Sequence, residues 1–214
     1  MFAATQFSSS LRQKSNSTSM AASKVYLLFY NSVSALLWLR VLLAIVTSYS
    51  DPEIFTTVEP WTRWTQTLAV IEILHAATGI TRAPVFTTFT QIFARSVQVW
   101  AINYSFPEVT ASSPAYLAML AAWSTADVVR YLYFAVLLTG APVPRALKWL
   151  RYSLFLALYP IGIGSEWWLM YRATTVTTNL LVAGIFYFFL GLYAPGSVMM
   201  YRYMVKQRRK TLSN

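Results

Sequence analysis

The chain has 214 residues, no cysteine and one histidine; 57% of it is hydrophobic, only 11% is charged, and the mean hydropathy is +0.47. A soluble domain carries about 25% charged residues, so this composition excludes disorder and an ordinary water-soluble domain and fits a polytopic membrane protein. The net charge of +10, from 17 Lys and Arg against 7 Asp and Glu, sits mainly at the ends of apolar runs, which is a topology signal and not a nucleic-acid footprint.

Residues 1–23 are rich in Ser, Thr, Ala and Gln and read as a disordered cytosolic tail, with a weak organelle-targeting peptide as a second reading. Residues 24–203 form the membrane domain, and 204–214 a basic cytosolic tail. Six spans are expected, at about 25–46, 64–81, 85–105, 115–139, 147–169 and 179–202. Breaks are expected at Asp51-Pro52, Glu59-Pro60, Ala83-Pro84, Pro107, Pro114, Pro142 and Pro144. The expected fold is an all-α integral membrane protein, a six-helix bundle with both termini on one side. Placing the termini in the cytosol puts twelve Lys and Arg inside and only Arg63 and Arg172 outside, with Asp51, Glu53, Glu59 and Glu108 also outside. That imbalance sets the orientation. The segment Lys206-Gln207-Arg208-Arg209-Lys210 reads as an anchor on anionic lipid or as a retrieval signal for the endoplasmic reticulum.

Arg40, Glu72, Arg95, Asp127, Arg130 and Glu166 fall within the expected spans. A charge at mid-membrane costs at least about 2.5 kcal/mol unless paired or hydrated, so these side chains are expected to face the bundle interior. Arg40 is close enough to a span end to snorkel. Asp127 and Arg130, three apart, can pair on one helix face, either as a helix-stabilising ion pair or as a cavity wall that orients a polar group. Arg95 needs a partner that the sequence does not identify. His75, three after Glu72, reads as a satisfied interior histidine more readily than as a base.

The fifth span carries Tyr159-Pro160-Ile161-Gly162-Ile163-Gly164-Ser165-Glu166. Seven residues at 100° each bring Tyr159 and Glu166 to within about 20° around a helix and separate them by about 10.5 Å along it. Gly162 lies between them and leaves a notch, while Pro160 removes one helical hydrogen bond. A phenol and a desolvated carboxyl bracketing a notch suit acid–base chemistry on a substrate held between them. The same pattern also reads as a kinked, Gly-packed helix with a snorkelling Glu.

No cysteine means no thiolate nucleophile, iron–sulfur cluster or Cys-bound zinc, and one histidine excludes a multi-His metal site. No metal or other cofactor is expected.

From about Tyr30 to the C-terminal tail the chain resembles the 3-hydroxyacyl-CoA dehydratase family of the endoplasmic reticulum, once called protein-tyrosine-phosphatase-like proteins. The resemblance is carried by three blocks in order. The first is Glu72-Ile73-Leu74-His75 with Gln91-Ile92-Phe93-Ala94-Arg95 and Gln98-Val99-Trp100. The second runs from Trp123-Ser124-Thr125-Ala126-Asp127 to Val128-Val129-Arg130-Tyr131. The third is Leu147-Lys148-Trp149-Leu150-Arg151-Tyr152 followed by Tyr159-Pro160-Ile161-Gly162 and Glu166. The stretch Arg172 to Asn179 is shorter than the corresponding loop of many relatives.

The resemblance implies the third step of very-long-chain fatty acid elongation, loss of water from a (3R)-3-hydroxyacyl-CoA to give the trans-2-enoyl-CoA. It also implies a six-span bundle and a catalytic pair, Tyr159 and Glu166. Elongase, 3-ketoacyl-CoA reductase and trans-2-enoyl-CoA reductase are the implied partners. Phosphatase chemistry through a thiolate is excluded by composition. Arg130, Arg95 or a backbone N–H freed at Pro160 are candidates to bind the thioester oxygen. Asp127 and Gly162 complete the expected substrate cleft. Arg145, Lys148 and Arg151 are candidates for the CoA phosphates or, equally, positive-inside anchors. A catalytically inactive scaffold and a small transporter are the competing classes.

Overall fold

The computed structural model describes residues 2–212, with side chains from Ala21 onward. Its described residues contain helices and no strand. The helices are α1 (Phe2–Ser48), α2 (Ile54–Leu68), α3 (Ile71–Ala77), α4 (Val85–Val97), α5 (Pro107–Thr110), α6 (Pro114–Thr139), α7 (Arg145–Ser153), α8 (Phe155–Val176) and α9 (Leu180–Leu212), with a π-helical segment Gln98–Tyr104 continuing α4. The backbone of α1 takes in residues 2–23 of the expected tail.

Local chemistry sets the ends. Gly140 takes φ +86° after α6 and Gly79 takes φ +74° shortly after α3, positions where a Cβ would be strained. Asn179 accepts the backbone N–H groups of Leu181 and Val182 at 3.0 and 3.3 Å and so caps α9. Pro114 opens α6 at a position where its missing N–H costs nothing.

The expected second span needs correction. Its helix begins at Ile54, not near residue 64, and Glu59-Pro60 lies inside α2 and does not break it. Pro60 is exposed and α2 continues through it, at the cost of the backbone bond its missing N–H cannot make. Tight turn bonds, Ala69 N–H to Gln66 O at 3.1 Å and Val70 N–H to Thr67 O at 3.0 Å, join α2 to α3 as one rod. The fifth rod is likewise α7 joined through Leu154 to α8, and it continues to Val176, past the expected end near residue 169.

Side-chain pairs fix the rod directions. Tyr30 meets Tyr131 and Trp38 meets Trp123, so α1 and α6 are antiparallel. Tyr133 meets Tyr152 while Trp123 meets Glu166, so α6 and the α7–α8 rod are antiparallel. Tyr159 meets Ser197 while Glu166 meets Tyr193, so α8 and α9 are antiparallel too. Arg40 meets Trp61 while Tyr30 meets Glu72, which sets α2–α3 against α1. One end of the bundle therefore gathers Lys24, Arg82, Arg145, Lys148, Arg151, Arg202 and the tail lysines and arginines. The other end holds Asp51, Glu53, Glu59, Glu108, Arg63 and Arg172.

The apolar core centres on α6, whose Met119 and Leu120 are fully buried against Trp38, Val99, Leu169 and Met170. Two helical segments, Ala21–Ser48 and Leu180–Leu212, are long and apolar enough to cross a membrane by hydropathy alone. Other rods carry buried polar groups, among them Gln66, Gln98, Asp127 and Glu166.

Candidate active site

Glu166 is 5% exposed, deep in the bundle, and both of its oxygens are held. Trp123 donates its indole N–H to Oε1 at 2.8 Å, and Tyr193 donates its hydroxyl to Oε2 at 2.9 Å. The burial rules out the snorkelling reading of Glu166.

Gly162 faces this clamp. A Cβ there would lie 3.7 Å from Trp123 Cδ1 and 3.8 Å from Glu166 Oε1, so the notch expected between Tyr159 and Glu166 opens onto the carboxyl. At Gly164 a Cβ would meet nothing within 4 Å, and that glycine takes no part in the notch. α8 continues as helix through Pro160. Tyr159 is half-buried, one face of the α8 register nearer the basic end, and donates its hydroxyl to Ser197 O at 3.4 Å. No bond joins Tyr159 to Glu166 among the described residues; Tyr193 and Ser197, four apart on α9, face the two in turn.

Beside the clamp lies a chain of alternating charges. Arg95 Nη2 is 2.7 Å from Asp127 Oδ2. Arg130 donates Nε–H to Asp127 Oδ1 at 3.0 Å, and Nη1 and Nη2 to the two oxygens of Glu72 at 2.8 and 3.0 Å. Tyr131 and Tyr30 both donate to Glu72 Oε1. Asp127 thus supplies the partner that Arg95 lacked in sequence. The array of two acids and two arginines ties α3, α4 and α6 together without net charge. Buried charges of this kind are tolerable because each acid lies against an arginine and each arginine against an acid. The guanidinium of Arg130 is engaged at all three nitrogens. Arg95 also lies over the Trp123 ring, 4.1 Å from its centre, and so links the charge array to the Glu166 clamp.

His75 is buried and hydrogen-bonded through Nε2 to Tyr26 Oη at 2.8 Å, as a satisfied interior histidine. Arg40 rests its guanidinium 3.7 Å from the centre of the Trp61 ring, which accommodates it at the bundle edge. Lys148 and Arg151 are half-exposed on α7 at the basic end, with Arg151 near the rings of Phe134 and Tyr152. No group of three or more His, Cys, Asp or Glu suited to a metal occurs among the described residues. Sequence reasoning did not single out Trp123 or Tyr193 as partners of Glu166. One is on α6 and the other on α9, and no local spacing connects either with residue 166.

The family described as protein tyrosine phosphatase-like protein, PTPLA, matches residues 66–214. A fission yeast (Schizosaccharomyces pombe) protein named probable very-long-chain (3R)-3-hydroxyacyl-CoA dehydratase is 37% identical over 194 residues, covering 86% of this chain and 91% of its own. The Arabidopsis thaliana dehydratase PASTICCINO 2 is 36% identical over 208 residues, covering 89% and 94%. The Homo sapiens very-long-chain (3R)-3-hydroxyacyl-CoA dehydratase 2 is 32% identical, covering 88% and 81%. No solved structure matches the chain. With a match through most of its length and relatives aligned along most of theirs, the chain belongs to the protein tyrosine phosphatase-like (PTPLA) family.

Proposed function

We propose that the protein is a very-long-chain (3R)-3-hydroxyacyl-CoA dehydratase, a lyase of fatty acid elongation that works within the endoplasmic reticulum membrane. The observation that carries this reading is identity above 30%, along most of the chain, to proteins named for that activity. The buried Glu166 beside the Gly162 notch, with Tyr159 on the same face of α8, supports it chemically. In this reading the six antiparallel rods span the membrane, the basic end faces the cytosol, and both termini are cytosolic.

Dehydration needs a base for the α-proton, an acid for the departing β-hydroxyl and stabilisation of charge on the thioester oxygen. Tyr159 and Glu166 supply the two proton-transfer groups. Gly162 leaves room for the reacting carbons beside the Glu166 carboxyl group. Arg95, Asp127 and Arg130 frame the cleft. The CoA phosphates lie near Lys148 and Arg151, and the acyl chain runs from the cleft toward the acidic end of the bundle. The 3-ketoacyl-CoA reductase supplies the substrate and the trans-2-enoyl-CoA reductase consumes the product, with the elongase in the same membrane.

The test is conversion of a long-chain (3R)-3-hydroxyacyl-CoA by purified protein in detergent, beside Tyr159→Phe and Glu166→Gln. Activity in the wild type and its loss in both folded variants is the expected result. A folded wild type that converts no chain length favours a scaffold.

A further inference from the structure

Tyr193 is half-buried against α8, its hydroxyl 2.9 Å from Glu166 Oε2. The other carboxylate oxygen, Oε1, takes the indole N–H of Trp123 at 2.8 Å. An indole nitrogen can only donate, whereas a phenol both donates and accepts. Oε1 is therefore held as an acceptor, and a proton on Glu166 belongs on Oε2, where Tyr193 can receive it. Ser197, one turn beyond Tyr193 on the same helix, receives the Tyr159 hydroxyl through its carbonyl oxygen at 3.4 Å. The α9 face thus touches both proposed proton-transfer groups, with Tyr193 on the Glu166 side of the gap.

The chemistry leaves a task for such a residue. In dehydration the Cα–H bond breaks and its electrons form the C=C bond. The Cβ–O bond breaks, and the hydroxyl leaves with one added proton as water. When two groups share this work, the one that took the α-proton ends with a proton too many and the other with one too few, whichever way the roles fall. Tyr159 and Glu166 are about 10.5 Å apart along α8, too far to exchange that proton directly. We propose that Tyr193 is the relay that carries the displaced proton between Glu166 and Tyr159 and resets the site after each turnover. The path runs from Glu166 Oε2 through the Tyr193 hydroxyl and the product water to the Tyr159 hydroxyl. It returns every group to its starting state and consumes no co-reactant. The proposal rests on the dehydratase reading.

The experiment compares the first turnover with steady-state turnover by rapid quench, using full-length protein in detergent and a long-chain (3R)-3-hydroxyacyl-CoA. In Tyr193→Phe, Trp123 still holds Oε1 and the first turnover needs no reset. The ratio of first-turnover to steady-state rate is expected to rise by about tenfold or more over the wild type, with the later phase slower in D₂O. In Trp123→Phe, which loses the fixed orientation of Glu166, both phases should fall together. Equal slowing of both phases in Tyr193→Phe, or no change in either, overturns the relay while leaving the dehydratase reading intact. A wild type that forms no enoyl-CoA overturns the dehydratase reading itself. Matching thermal unfolding curves for the three proteins exclude misfolding as the cause.

Discussion

Arg95 lies 4.1 Å from the centre of the Trp123 ring, and the same indole donates its N–H to Glu166. A cation on the ring face draws electron density from the indole and strengthens its N–H as a donor. Asp127, 2.7 Å from Arg95 Nη2, keeps the guanidinium there. Arg95→Gln should therefore lower kcat more than it raises KM, because its main effect is to weaken the support of Glu166 through Trp123. Combined with Trp123→Phe, its effect should be less than additive, with a coupling of about 0.5–2 kcal/mol. A double-mutant cycle on kcat/KM measures this. Strict additivity would mean that the stacking does not reach the carboxyl.

Glu72 receives Arg130, Tyr131 and Tyr30, and it is the end of the charge array on α3. Glu72→Gln leaves Arg130 with a charge partner only at Asp127, which already serves Arg95. Breaking one half of a buried pair costs about 3–5 kcal/mol, so this variant should unfold at a clearly lower temperature in detergent. Glu72→Gln with Arg130→Gln removes both charges, leaves Arg95–Asp127 as a neutral pair, and should recover much of the loss. A double variant less stable than either single one would contradict the pairing.

A Cβ added at Gly162 meets Trp123 and Glu166 at 3.7–3.8 Å, which is ordinary contact. Gly162→Ala should fold with wild-type thermal stability, while the methyl group takes space beside the Glu166 carboxyl that the substrate needs. The expected outcome is a loss of activity of about tenfold or more, since misplacing reacting atoms by an ångström can cost about a hundredfold. Gly164→Ala, at a site where a Cβ meets nothing, should keep full activity. Equal activity of the two variants would remove the notch from the site.

Much of this arrangement was readable from sequence, where local rules applied. The α6 rod is bounded by Pro114 and Gly140, and its expected limits of about 115–139 match Pro114–Thr139. The alignment of Tyr159, Gly162 and Glu166 followed from helical repeat alone. Pro60 misled, because α2 continues through it despite the backbone bond that its missing N–H forfeits. The π-helical turn at Gln98–Tyr104 has no signature in a 3.6-residue period. The partners of Arg95 and Glu166 come from other rods, and only the packing of α4, α6, α8 and α9 reveals them.

The basic end offers a separate test of where the CoA moiety binds. Lys148 is half-exposed on α7, and Arg151 beside it packs near the rings of Phe134 and Tyr152. Arg151→Ala would lose packing as well as charge, so Lys148→Gln is the cleaner probe. A lysine that meets a phosphate acts as a point charge. Its removal should raise KM for the 3-hydroxyacyl-CoA by about five- to tenfold, roughly 1–1.4 kcal/mol, with kcat unchanged. The effect should shrink as salt is raised. The matching pantetheine thioester has no nucleotide phosphates, and its KM should not change with Lys148→Gln. An equal rise for both substrates would place Lys148 in the structure of α7, and no rise for either would leave it as a membrane anchor.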